Sequence, residues 1–328
     1  MAHEWATLNG TDVDPDIRRF IDETSAEYAR HPLLSSLSIP EARKVAEAVR
    51  APWTAGGPVM HSTVEQTVPT PHGPVRVRIH NPSARADKPA LIYVHGGGWT
   101  LFSLDTHDRL MREYAARADV VVIGVDYDLS PEVRFPVALE QVVAVVRWAS
   151  KQAQTLGIDA TRLALGGDSA GGNMTFTAAL MLRDAGEGGL LKALLLNYAV
   201  LNAETSDEYH ARFGGEGYML ASDEMEAFWA NYLSAPSDRA NPLVSPMLAD
   251  VAGLPPVFLA IPECDLLTGQ SLDMERRLIA AGVPVQSRIY QGATHSFLEA
   301  VSIAPVADRA FQDASEWLRD TLIQASRG

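Results

Sequence analysis

Cysteine is almost missing from this chain of 328 residues: Cys264 stands alone. No intrachain disulfide can form, and the composition suits a reducing compartment. Positive charge is also scarce, with 27 Lys and Arg against 41 Asp and Glu, a formal net charge of −14. That balance favours solubility and disfavours nucleic acid or an anionic membrane surface as partner. No apolar run approaches the roughly 20 residues needed to span a bilayer. The opening MAHEWATLNG lacks a basic start followed by an apolar stretch, so no signal peptide is visible. Repeats and low-complexity tracts are absent as well. These absences together lead us to expect a cytoplasmic protein that contacts no membrane.

What the chain does have is core. Apolar residues make up 47% of it, enough for one large domain or a domain with an appendage. Residues 1–58 read as a helical N-terminal piece. Asp14-Pro15 is a cap and first-turn signal, and Ile17, Phe20, Ile21, Thr24 and Tyr28 share one helical face ahead of Pro32. Ser38 and Glu41 predict a capping box for a second helix carrying Val45, Ala48 and Val49. APWTAGGP then reads as a linker.

Residues 59–328 have a different rhythm. STVEQTV and VRVRIH alternate as antiparallel strands do. Apolar strands at ALIYVH, VVVIGVDY, RLALGG, ALLLNYAV, PVFLAI and VQSRIY then alternate with helices near 106–118, 137–156, 170–184, 271–281 and 305–324. Such alternation predicts a mostly parallel sheet covered on both faces. Between 202 and 235 the rhythm breaks, predicting an insertion that folds over the sheet with the N-terminal helices.

Two strand ends carry glycine clusters, HGGGW (His95–Trp99) and GGDSAGG (Gly166–Gly172). The second is not a phosphate loop, because Gly172-Asn173 stands where Lys and Ser/Thr are needed. The first lacks the third glycine of a dinucleotide fingerprint. Gly167-Asp168-Ser169-Ala170-Gly171 does match G-x-S-x-G, in which a serine sits on a tight strand-to-helix turn with small neighbours. A nucleophilic serine needs a base, an orienting acid and an oxyanion hole. His295 is the one histidine beyond PVFLAI, and it lies in a loop after VQSRIY. The turn after PVFLAI offers Glu263 and Asp265, and Asp265 is favoured because it lies deeper in the loop. The glycines after His95 would let backbone N–H groups approach a developing oxyanion.

Read together, HGGGW and GDSAGGN resemble the bacterial hormone-sensitive-lipase family of α/β-hydrolase carboxylesterases. VDYDLSPEVRFPVALE (Val125–Glu140) is most similar to the acetyl esterase branch. The resemblance implies an eight-stranded α/β-hydrolase fold with a helical cap made of the N-terminal helices and the 202–235 insertion. It further implies Ser169 as nucleophile, His295 as base, Asp265 as its partner, and an oxyanion hole from Gly97, Gly98 and Ala170. No metal or organic cofactor is implied. The partners implied are a small ester and water, with a short-chain acyl preference, and homo-oligomerisation is left open.

Other acyl bonds (lactone, carbamate, amide or aryl ester) would suit the same groups, and a non-catalytic ligand-binding relative is the competing class. Trp5, Tyr28, Phe213, Tyr218, Met219 and Trp229 are candidate pocket residues. Three stretches depart from the family pattern: Asp128-Leu129-Ser130, Thr268-Gly269-Gln270, and Ser296 after the histidine. Asp168 is read as structural.

Overall fold

The computed structural model describes residues 13–325 apart from residue 216. Helices α1 (Pro15–Tyr28) and α2 (Ile39–Arg50) come first, then strands β1 (Ser62–Thr70), β2 (Gly73–Asn81) and β3 (Lys88–Val94). They are followed by α3 (Asp108–Ala118), β4 (Val121–Asp126), α4 (Val137–Lys151), α5 (Ala153–Leu156), β5 (Ile158–Asp168), α6 (Ala170–Asp184) and β6 (Leu191–Asn197). The remainder is α7 (Asp207–Phe213), α8 (Ser222–Tyr232), β7 (Val257–Cys264), α9 (Thr268–Ala280), β8 (Val285–Thr294) and α10 (Pro305–Ala325). None of the described helices is long and apolar enough to cross a membrane.

The eight strands form one sheet in the order β1-β2-β4-β3-β5-β6-β7-β8. β2 is antiparallel to β1 and β4, and the other neighbours are parallel. Side chains alternate across β3 with period two. Ala90, Ile92 and Val94 enter one core with α4, α6 and α9, while Leu91 and Tyr93 enter the other with α1, α3 and α10. Burial on both faces explains why these strands read as continuous apolar runs. Chain direction across the sheet reverses at β3, whose neighbours are β4 and β5. The ends of β3 and β5 therefore flank a switch point, the usual place for a site in such a sheet.

The N-terminal piece shares this core. Asp14 caps α1 by accepting the N–H groups of Asp16 and Ile17 at 2.9 and 3.2 Å, and Ile17, Phe20, Ile21 and Thr24 are buried as the periodicity predicts. On α2 the Glu41 carboxylate accepts the Ser38 N–H at 3.1 Å. The buried stripe there is Ala42, Ala46, Val49 and Arg50, with Val45 half-buried and Ala48 exposed. The stripe is set by where α2 meets its neighbours, which apolar identity alone does not encode. The linker is also held in place. Trp53 packs edge-on against Phe20 at 4.7 Å, and Arg112 donates to the carbonyls of Thr54, Gly56 and Pro58.

Two helices differ from expectation at their ends. The 137–156 helix breaks at Gln152 into α4 and α5 and stops at left-handed Gly157. α9 starts at Thr268 because Asp265 turns the chain, its Oδ1 accepting the Leu267 N–H at 3.0 Å.

Arg50 at the end of α2 donates to Glu299 at 2.9 Å, with both side chains only 6% exposed. The pair ties the N-terminal piece to the segment that follows His295. Removing one partner leaves a buried charge uncompensated, whereas replacing both with apolar groups does not. Arg50→Met is therefore expected to cost roughly 3–5 kcal/mol. Arg50→Met/Glu299→Leu should recover most of that loss, as read from urea denaturation midpoints.

Candidate active site

The turn from β5 into α6 carries Ser169 with φ 51° and ψ −120°, a backbone conformation that non-glycine residues rarely adopt. Its neighbours are small because other backbone lies against them. A Cβ on Gly167 would stand 2.5 Å from the Val94 carbonyl oxygen, and one on Gly171 would overlap the same atom. Asn173 secures the turn from below, donating its amide to the carbonyls of Val200 and Val244 at 2.9 Å each.

Ser169, His295 and Asp265 meet at the carboxyl ends of their strands. His295 Nδ1 lies 2.7 Å from Asp265 Oδ2, and Nε2 lies 2.9 Å from Ser169 Oγ. An ionised carboxylate only accepts, so Nδ1–H donates to Asp265, and Nε2 accepts from the serine hydroxyl. Burial alone would push the His295 pKa down, but the charge and hydrogen bond of Asp265 outweigh it, leaving it above 6.5. Glu263, the other carboxylate of this turn, is engaged elsewhere, accepting the Gly292 N–H at 2.9 Å. Between them, Cys264 is fully buried. Desolvation and then the Glu263 charge push its thiol up to about 11.

The loop after β3 turns its carbonyls away from the cavity. His95 Nδ1 donates to the Gly96 carbonyl at 2.7 Å, Leu101 N–H to Gly97 at 2.8 Å, and Thr100 Oγ1 to Gly98 at 3.0 Å. No described hydrogen bond uses the N–H groups of Gly97, Gly98 or Ala170. Each glycine has its own steric reason. A Cβ on Gly96 would overlap Asp168, one on Gly97 the Leu101 carbonyl, and one on Gly98 the ring of Phe228.

Sequence reasoning read Asp168 as structural without naming its contacts, and passed over His107. The Asp168 carboxylate accepts from Tyr93 Oη at 2.9 Å and from the Gly96 N–H at 3.2 Å, and it lies 3.2 Å from His107 Nε2. Burial would raise its pKa, but the His107 charge and hydrogen bond, with Tyr93, hold it below the usual 3.8. His107 is correspondingly raised above 6.5 against its own desolvation. His95, with its ring 5.3 Å from His107, falls to about 4 through burial and the His107 charge. Asp168 and His107 thus favour each other's charged forms, and the carboxylate joins the turn before Ser169 to the loop after β3. A histidine six residues beyond Leu101, paired with an aspartate 61 positions later, has no local sequence signature.

A cavity of about 760 Å³ opens onto Ser169 and His295. Of the candidate pocket residues, Tyr28 and Met219 line it. Phe213 and Tyr218 pack on each other at 5.3 Å, and Trp229 is buried 4.6 Å from Trp99 in the core. Trp5 lies outside the described residues. Phe102, Glu224 and Phe228 line the cavity without having been singled out. Of the departures, Ser296 lines the cavity in a left-handed conformation. Asp128 is not at the cavity; it is paired to Gln141, whose amide donates to Oδ2 at 2.6 Å. Gln270 accepts the Leu201 and Asn202 N–H groups at 2.9 Å and donates to the carbonyls of Asn202 and Glu204, mooring the insertion. Among the described residues no group of three or more His, Cys, Asp or Glu is arranged to hold a metal ion.

The family model for the alpha/beta hydrolase fold matches residues 91–299. A hyperthermophilic esterase from the archaeon Pyrobaculum calidifontis is 29% identical, with a TM-score of 0.90 and 95% of this chain and 99% of that one covered. A thermophilic and thermostable carboxylesterase cloned from a metagenomic library is 32% identical, with a TM-score of 0.85 and coverage of 88% and 99%. A thermostable esterase from Pseudomonas putida is 29% identical, with a TM-score of 0.87 and coverage of 96% and 99%. Sheet order, strand-end loops and these likenesses agree, and the chain belongs to the α/β-hydrolase fold family.

Proposed function

We propose that the protein is a serine carboxylesterase acting on short-chain acyl esters, with Ser169 as nucleophile, His295 as general base and Asp265 as its orienting acid. The observation that carries this reading is the relay of 2.7 and 2.9 Å contacts through His295, opening onto the cavity. Ser169 Oγ attacks the ester carbonyl carbon while its proton passes to His295 Nε2. The oxyanion forms among the N–H groups of Gly97, Gly98 and Ala170, which already lack internal acceptors and need no reorganisation. The intermediate collapses to the acyl-enzyme, and the leaving alkoxide takes the proton from His295. Water, deprotonated by the same nitrogen, then releases the acid.

Asp168 is assigned as a positioning residue that sets the β3 loop relative to the serine turn. In this reading α1 and α2, with the 202–235 insertion, form the cap over the site. Phe228 packs on Gly98 beside the oxyanion loop, which supports a small acyl group. The remaining cavity leaves room for a larger alcohol portion.

Ser169→Ala should lower kcat by about 10⁶-fold, and a fluorophosphonate should label the wild type stoichiometrically at Ser169. A protein that binds the ester but is not labelled would be a non-catalytic relative. The base works only when neutral, so kcat/KM should rise with pH through a midpoint above 6.5. A midpoint below that value would contradict the Asp265 assignment. Asp168→Asn should reduce kcat by about 10²-fold with little change in KM, since the loop shifts while the relay persists. On p-nitrophenyl esters of increasing acyl length the rate should peak at short chains, and Phe228→Ala should move the maximum longer. A wild-type maximum at long chains would refute the acyl assignment.

A further inference from the structure

The charges that line the cavity pair off almost completely. Arg50 meets Glu299 at 2.9 Å, His107 lies 3.2 Å from Asp168, and His295 lies 2.7 Å from Asp265. Among the carboxylates that line it, Glu224 is the exception: among the described residues no ion pair includes it. It stands in the first turn of α8, where its carboxylate accepts the Ala221 N–H. Capping occupies only part of that carboxylate, and it would serve equally well on a helix facing bulk solvent. Glu224 instead lines the cavity that holds Ser169 and His295, where its surface stays accessible. Surrounding protein desolvates it and pushes its carboxyl above 4.5, against the opposing influence of Arg50 and His295. A bound cation would favour its ionised form. The net charge of −14 adds a long-range attraction of the same sign.

We propose that Glu224 is a cation subsite, and that the enzyme selects esters whose alcohol portion carries an ammonium group. The assignment rests on the ester-hydrolase reading above. With a short acyl group, little of the substrate on the acyl side can extend along α8. Glu224 sits four residues before Phe228 on the same face of that helix, about 6 Å along its axis. The part of the substrate that reaches it is the alcohol.

The test is a matched pair, acetylcholine and its uncharged isostere 3,3-dimethylbutyl acetate, assayed at low ionic strength. The wild type should favour the cation in kcat/KM by roughly tenfold. The ratio should fall towards one in Glu224→Gln and below one in Glu224→Lys. Choline should also inhibit the wild type more strongly than 3,3-dimethylbutan-1-ol, a measurement that needs no variant to fold. A wild-type ratio near one, or a preference that survives in Glu224→Gln, would overturn the subsite while leaving the esterase reading intact. Failure to turn over either ester or p-nitrophenyl acetate, with Ser169 unlabelled, would instead overturn the esterase reading and the subsite with it.

Discussion

The carbonyl oxygen of Val94 closes β3 and presses against the turn between β5 and α6. A Cβ on Gly167 or Gly171 would collide with it. That closeness brings the loop after β3 against the serine turn, setting the proposed oxyanion donors beside the proposed nucleophile. It also forces the sharp turn that puts Ser169 at φ 51°. The strain is sustained because both backbone groups of Ser169 are engaged: its N–H donates to the Asn197 carbonyl at 3.0 Å, and its carbonyl accepts from the Asn173 and Val200 N–H groups.

Holding backbone so close requires polar satisfaction behind it, and the buried pair of Asp168 and His107 supplies that. A carboxylate with neutral neighbours alone would be costly at this depth. Here Tyr93, the Gly96 N–H and a histidine raised above its usual pKa share its charge. His95 titrates the opposite way, to about 4. The pKa values of two imidazoles 5.3 Å apart are thereby pushed in opposite directions.

Much of this organisation was legible in the sequence, for a physical reason. Strands buried on both faces must be continuously apolar, so VVVIGVDY and ALLLNYAV announce a parallel sheet. Small residues around Ser169 are imposed by backbone contacts that any such turn must make, and α6 begins at Ala170 where the motif implies. Loop order along the chain distinguished Asp265 from Glu263. What stayed hidden depends on long-range packing. Ala48 is as apolar as Ala46, yet only Ala46 faces inward. Trp229 and Phe228 are adjacent aromatics, and α8's orientation alone sends one to the core and the other to the cavity. Asp265 was read as the partner of His295 rather than as a cap, and its two oxygens are divided between His295 and the Leu267 N–H.

Gln270 grips the insertion largely by main chain: two N–H groups and two carbonyls between residues 201 and 204, with Thr205 Oγ1 the one side-chain acceptor described. A mooring that reads backbone is indifferent to which side chains the moored segment carries. The helices beyond it can therefore accumulate substitutions at cavity positions such as Met219, Glu224 and Phe228 without loosening their attachment to α9. Side chains at the cavity wall can thus vary while Ser169, His295 and Asp265, none of which the insertion carries, keep their spacing.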